Sequence, residues 1–454
     1  MTTADSSPPV GYARRLGLFS GTMSVVGGII GAGIFLNPAI VAARVGSAEL
    51  TLGVWIVGGV VAILGGFIYG ELGQRLPKAG GPYAYLRAAY GPLAGFLYAW
   101  ALLLIMGTGA AAAVGYTFAS YAANLFHLSE SAIVPLAAIA IAGFALLNVF
   151  GVEFGAWTQN VFVLLKLAAL GLLVVAGLFF APSGPPPAVS CVDCAPLAPP
   201  IGLLATIAAV GAALVPVLFS YGGWQQSNYI AEEIIEPERN LPRALVIGVT
   251  IVVVGYLLAN VAYLQVLGVE GLARSTAPAA DTLERTFGEG GRRLISFGVM
   301  LSTAGFLNTI TLLAPRVYQA MARDRLFFES FSRLHPRFRT PVVAILFQAA
   351  WAILLLMLGT YGRLLDYVVF ADWIFFGSTA AAVIVLRRRD GPPSGGFRVP
   401  GYPVTVLVFV AAALYVVLGS IASNPGNALR GTALLAVGVP VCWWWARKAG
   451  QAPR

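Results

Sequence analysis

Lys166, in "QNVFVLLKLAALGLL", places an ammonium in the middle of an apolar run long enough to cross a bilayer. A charged side chain at that depth costs about 2.5–3.5 kcal/mol on insertion scales. Such a lysine is either a neutral or locally bonded packing residue, or a charge that does something. Asp372, in "YVVFADWIFFGS", lies at a comparable depth in a later run. It either pairs with Lys166 or bonds to polar groups within the bundle. The third feature is backbone rather than side chain. "VVGGIIGAGIF", Val25 to Phe35, puts four glycines into the first apolar run, and "SYGGWQQ", Ser220 to Gln226, interrupts the sixth.

Taken singly, a glycine cluster is adequately explained as a packing surface, and Gly27 and Gly31 already form a G-x-x-x-G. Paired interruptions at corresponding places of two repeats are instead the mark of a transporter's midplane site. Unpaired backbone groups survive inside a membrane only where they line a protein-enclosed or watery cavity. A half-helix starting near Ala32 and Gly33 offers N–H groups and a positive dipole end to a carboxylate. Half-helices ending near Ile29 and near Phe219 to Tyr221 offer carbonyls to an ammonium. The α-amino acids carry both charges on one carbon.

The elements that must hold these residues follow from composition. The chain has 454 residues, 58% of them hydrophobic and 10% charged, with a mean hydropathy of +0.82. These values lie far from those of a soluble globular domain. About twelve apolar runs recur, each long enough to span roughly 30 Å of hydrocarbon as a helix. They are centred near Val26, Ala62, Leu104, Ile141, Leu170, Ala213, Val253, Leu301, Ala350, Gly377, Ala411 and Ala436. The expected fold is an all-α integral membrane protein. Residues 1–16 read as a cytoplasmic tail, 17–181 as a first five-helix repeat and 182–200 as an outer loop. Residues 201–389 read as a second, inverted five-helix repeat, and 390–454 as two further helices with a short tail.

The net charge of +9 does not indicate nucleic acid, because the basic residues lie in connections between spans. Most of the 28 lysines and arginines fall on one side, in loops such as "RLPKAGGPYAYLR" and "RDRLFFESFSRLHPRFR". The positive-inside rule makes that side, and both termini, cytoplasmic. The first apolar run is long and lacks a small-residue cleavage site, so no removable signal peptide is read. Cys191 and Cys194 fall in the outer loop, either as a local disulfide or as two free thiols. Cys442 reads as a packing or lipid-facing residue, and no metal or cofactor is expected. Glu71 and Arg75, spaced i, i+4, read as a surface pair. The charges from Glu232 to Arg243 after the sixth run form either a cytoplasmic gate network or a solvated loop.

"GGIIGAGIFLNP", "YGELGQRLPKAGGPYAYL", "LFSYGGWQQSNYIAEEIIEPERNLPRAL" and "HPRFRTP" are four separated stretches in one order. Together they resemble the amino acid, polyamine and organocation transporter superfamily, and in particular its L-type amino-acid transporter group with its bacterial members. The resemblance implies a LeuT-like fold of five plus five inverted helices with two extra, alternating access, and sodium-independent carriage of neutral L-amino acids, often by exchange. Residue by residue, it implies substrate-binding backbone at Ile29, Gly31, Ala32 and Gly33, and at Phe219, Ser220 and Gly222. Phe219 matches an aromatic that closes over substrate, and Ala32 departs from a serine common in relatives. Asn308 matches an eighth-helix asparagine, yet Ala314 and Pro315 replace serines of related sequences, and a packing amide is the other reading. Lys166 resembles a helix-five lysine, and its ammonium would stand where sodium-coupled carriers of this fold keep a sodium ion. The outer loop "NLFHLSESAIVP" holds no cysteine, so no disulfide-linked heavy subunit is expected, and a prokaryotic inner membrane is the natural setting.

Three other readings stand beside this one. A proton-coupled symporter in which Lys166 changes protonation is the alternative among carriers. A membrane-embedded enzyme would need chemistry that the chain does not advertise, since it has no HExxH, no GxSxG, no His/Cys cluster and no phosphate loop. An open channel fits the hydropathy but not two broken helices.

Overall fold

The computed structural model describes residues 14–448 apart from 151, 183, 185–198, 359–360, 394 and 424. The Cys191 and Cys194 alternatives, and most of the outer loop that holds them, lie outside the described residues. Among the described residues sixteen α-helices follow one another. The first two are α1 (Leu18–Ile29) and α2 (Gly33–Val45), bent by 42° at the break between them. Next come α3 (Ala48–Arg75), α4 (Pro82–Tyr90) and α5 (Pro92–Ala101), the last running through a π-helical turn into α6 (Gly107–Leu125). After them stand α7 (Ile133–Val149), α8 (Val152–Phe179) and α9 (Leu203–Tyr221), the last followed by a 3-10 helix, Trp224–Glu233. The chain continues with α10 (Pro237–Arg274), α11 (Pro278–Leu313), α12 (Pro315–Arg323) and α13 (Val342–Leu358). It ends with α14 (Tyr361–Asp390), α15 (Val404–Ser423) and α16 (Pro425–Lys448).

Among the described residues ten helical stretches are long and apolar enough to cross a membrane. The bent pair α1 and α2 makes an eleventh, and α13, where the ninth apolar run was expected, is a shorter apolar helix. All twelve expected centres fall within these stretches, so this is a multi-pass, all-helical membrane protein. Helix ends follow local chemistry. The Ser47 hydroxyl accepts from Leu50 N at 3.1 Å and starts α3, and Gly46, at a φ of 62°, ends α2 in the left-handed conformation.

Between spans the driving force is close packing. A Cβ on Gly58 would lie 2.4 Å from Val217, and one on Gly59 would lie 2.8 Å from Val253, so glycine lets α3 seat against both α9 and α10. The outward face is apolar instead, with Ile139, Leu146, Leu414 and Leu418 exposed where lipid tails would lie. Cys442 is buried, which selects packing over a lipid-facing position.

Polar contacts tie the ends of the spans. Contrary to the surface-pair expectation, Glu71 is fully buried. Its carboxylate accepts from both Arg387 Nε (2.8 Å) and Nη2, and from Val399 N at 2.8 Å, with Arg75 Nε 3.3 Å away. A carboxylate serving three segments is a node that joins α3, α14 and the stretch before α15. The charges after α9 divide. Glu233 is buried against Arg316 Nε at 2.7 Å, whereas Glu236 and Arg239 form an exposed contact of 3.8 Å. Leu16 N donates to Glu233 O at 3.0 Å and Ile235 N to Leu16 O at 2.8 Å, which lays Leu16 along this segment.

Candidate functional site

The first break is built by backbone alone. Ile30 leaves the helical region at φ −72°, ψ 99°, and its N–H still bonds to Val26 O at 2.9 Å. Ala32, the residue before α2, has no side-chain capping bond. The N–H groups of Gly31, Ala32 and Gly33 have no backbone acceptor among the described residues. A helix start normally leaves such donors to a cap, water or a ligand. Gly31, Ala32 and Gly33 also line the cavity beside this break.

In the sixth span, α9 ends because Gly222 N turns back onto the carbonyls of Leu218 (3.0 Å) and Phe219 (3.1 Å). Gly223 then takes a φ of +119°, a conformation that glycine adopts without a Cβ penalty. The chain resumes not as an α-helix but as the 3-10 helix Trp224–Glu233. The two breaks touch. A Cβ on Gly223 would lie 2.1 Å from Gly28 O, and one on Gly28 would lie 2.8 Å from Gly223 O. This glycine contact escaped the sequence reading, which placed close approach toward ligand rather than between the breaks.

Gly31 and Gly33 differ accordingly. A Cβ on Gly33 would lie 2.6 Å from Ser220 Oγ and 2.8 Å from Ser220 Cα, so this glycine fits α2 against α9. A Cβ on Gly31 would make ordinary contact, at 3.4 Å, with the ring of Phe306. Asn37 reinforces the α2–α9 seam, its Nδ2 donating to Pro216 O at 2.9 Å and to Ser220 Oγ at 2.8 Å.

Both breaks open on one cavity of about 60 Å³. Ile29, Gly31, Ala32 and Gly33 line it from the first span, and Phe219, Ser220 and Gly222 from the sixth. Asn308 is not among its walls. Its Oδ1 accepts from Asn148 Nδ2 at 2.9 Å, joining α11 to α7, and the α11 residues facing the cavity are Phe306 and Ile310. Met106, Gln226, Tyr229 and Asp372 also line it. Of these only Asp372 carried a sequence signal, a charge at mid-span. The facing of the others depends on helix rotation.

Lys166 is fully buried. Its Nζ donates to Gly27 O at 3.0 Å and to Ile30 O at 2.6 Å, the carbonyls released where α1 stops. Its Cε lies 2.8 Å from the position a Cβ would take on Gly305 of α11, so the ammonium is enclosed between the first break and α11. The possible Lys166–Asp372 pair gives way to these backbone bonds. Tyr256 Oη reaches Ile29 O at 3.3 Å and Ser302 Oγ reaches Gly31 O at 3.5 Å, so several carbonyls at the break already hold one donor. Each retains a second lone pair.

A donor-rich helix start, a helix end tied by an internal cation and a cavity walled by both breaks suit a zwitterion. Comparison with known proteins agrees with that chemistry. The family described as amino acid permease matches residues 16–442. The serine/threonine exchanger SteT of Bacillus subtilis (strain 168) is 33% identical over 418 residues, covering 90% of this chain and 91% of that protein. The b(0,+)-type amino acid transporter 1 of Mus musculus is 31% identical over 416 residues, covering 91% and 83%. The human large neutral amino acids transporter small subunit 2 is 32% identical over 466 residues, covering 98% and 84%. With the family matched along nearly its whole length, the chain belongs to the amino acid permease family of the amino acid, polyamine and organocation superfamily.

Proposed function

We propose that this protein is a sodium-independent exchanger of neutral L-amino acids, working by alternating access in a prokaryotic inner membrane with both termini cytoplasmic. The observation that carries the reading is the position of the Lys166 ammonium on the Gly27 and Ile30 carbonyls, beside a cavity walled by both helix breaks. A tethered cation there neutralises the exposed end of α1 without a free ion. In this reading the N–H groups from Gly31 to Gly33 receive the substrate carboxylate, and carbonyls at the ends of α1 and α9 receive its ammonium. Ile29, Ala32, Ser220 and Gly222 supply further backbone, and Phe219 covers the substrate. Asn308 acts at a distance, by fixing α11 to α7. The two five-helix blocks move against one another around this site. The named exchangers and transporters among the relatives support transport over membrane-embedded catalysis. The cysteine-free loop between α6 and α7 supports a carrier without a disulfide-linked heavy subunit.

The test is uptake of a radiolabelled neutral amino acid by purified protein in liposomes. Preloading with unlabelled amino acid should raise uptake strongly, and replacing sodium by choline should not lower it. Strict sodium dependence, or uphill accumulation in unloaded liposomes under an inward proton gradient, would overturn the reading.

A further inference from the structure

A second concavity, of about 520 Å³, is a groove on the outside of the bundle between α5, α13, α16 and the segment that follows α12. Every residue lining it is apolar or aromatic. Trp100, Phe347 and Trp444 wall it, and Phe327 and Phe328 close one side. Its far end is formed by Pro440 and by Leu103 and Leu104 of the π-helical turn, Leu102–Met106. That turn is held in place by side chains of two other helices, with Tyr318 Oη donating to Leu102 O at 3.2 Å and Trp351 Nε1 to Leu104 O at 3.1 Å. Leu102 and Met106 line the substrate cavity, so groove and cavity share one turn of helix as a wall.

Charge at the rim sets this groove apart from the plain lipid-facing surface. Lys448 Nζ stands over the rings of both Trp444 and Trp445, 5.3 and 5.4 Å from their centroids, which fixes an ammonium beside the opening. Arg447 precedes it in the exposed last turn of α16. The acidic side chains on the segment that carries Phe327 and Phe328 are already paired, Asp324 with Arg87 and Glu329 with Arg333. That segment therefore supplies no free carboxylate to neutralise the two cations.

Depth narrows the choice of occupant. From Pro440 to Lys448 helix α16 rises about 12 Å, close to the ~15 Å of hydrocarbon in one leaflet. A slot one leaflet deep, apolar to its end and cationic at its rim, matches a phospholipid standing in that leaflet. The spanning helix of a second copy would need a face that continues into the other leaflet, and the groove stops at the π-helical turn. We propose that this groove binds one net-anionic glycerophospholipid, with an acyl chain along the aromatic walls and the phosphate on Lys448 and Arg447. Basic pockets at the ends of spans, on the side where basic loops gather, suit such headgroups.

The test is native mass spectrometry of the purified full-length protein, titrated with phosphatidylglycerol or with phosphatidylcholine of the same acyl chains. One phosphatidylglycerol should bind the wild type more tightly than phosphatidylcholine by about fivefold for each basic residue, hence about 30-fold. The ratio of Kd values should fall toward one when Arg447→Ala and Lys448→Ala are combined. It should hold when Arg337→Ala and Arg388→Ala are combined, which removes two exposed charges elsewhere. Val441→Phe, which fills the groove from α16, should abolish tight retention of either lipid. Ratios are read within one variant, so a general loss of stability cancels. Equal Kd values in the wild type, or a preference that survives the loss of Arg447 and Lys448, would overturn the site. So would a preference that falls equally in the distant pair, since diffuse surface charge would then suffice. Unchanged retention in Val441→Phe would remove the lipid from the groove, and a dimer lost in that variant without any lipid preference would give the groove to a second copy of this chain.

Discussion

Replacing Lys166 by methionine keeps the unbranched stem that packs beside Gly305 and removes only the ammonium. Two donors are lost, on Gly27 O and Ile30 O, at 3.0 and 2.6 Å. A hydrogen bond from a charged group contributes about 1.5–3 kcal/mol, and each carbonyl left unsatisfied costs about 1–3 kcal/mol. Against this, removal of the lysine relieves a mid-membrane charge whose insertion cost is about 2.5–3.5 kcal/mol. Two such bonds together contribute about 3–6 kcal/mol, so set against that relief the net loss should be at most about 3 kcal/mol in the state that holds α1 docked, a change of up to roughly 150-fold in its population relative to the undocked state. Exchange turnover of Lys166→Met should fall by a similar factor. Apparent substrate affinity should fall less, because the N–H groups from Gly31 to Gly33 do not contact the ammonium. The assay is initial-rate exchange in preloaded liposomes at several substrate concentrations, in sodium, potassium and choline. Wild-type rates should be equal in the three salts. Full turnover in Lys166→Met would reduce the lysine to packing and refute the reasoning.

The glycines of the breaks should separate into two kinds. Gly223→Ala puts a Cβ about 2.1 Å from Gly28 O on a residue with a φ of +119°, so purified protein should show a lowered Tm and little exchange. Gly31→Ala meets the Phe306 ring at an ordinary 3.4 Å and should keep the wild-type Tm while raising KM; an unchanged KM would remove Gly31 from the site. Asn308→Ala and Asn148→Ala should each lower Tm, and their double variant should cost less than the sum, as expected for partners bonded at 2.9 Å. Fully additive effects would dissolve that pair.

The candidate site was legible in the sequence to the extent that backbone chemistry determines it. Glycine clusters inside apolar runs can be read without knowing how helices rotate, and they located both breaks; the individual residues came from the family resemblance, and seven of those eight lie on the cavity wall. Lys166 was legible for a related reason, since a cation at mid-membrane depth must find acceptors, and the nearest free ones lie where a helix stops.

What the sequence by itself determined is the class: the length and recurrence of apolar runs and the positions of two interruptions follow from transfer energies and backbone hydrogen bonding, which act locally. What only the tertiary structure decided is facing and partnership. Glu71 looked like half of an i, i+4 surface pair, yet it is buried because α14 and the stretch before α15 bring Arg387 and Val399 N to it from more than 300 residues away. Asn308 and Phe306 sit two positions apart on α11, and the roughly 200° of rotation between them sends one toward α7 and the other into the cavity. In a lipid-embedded bundle apolar residues cover every face of most helices, so hydrophobic periodicity does not report which side looks inward, and packing alone settles it.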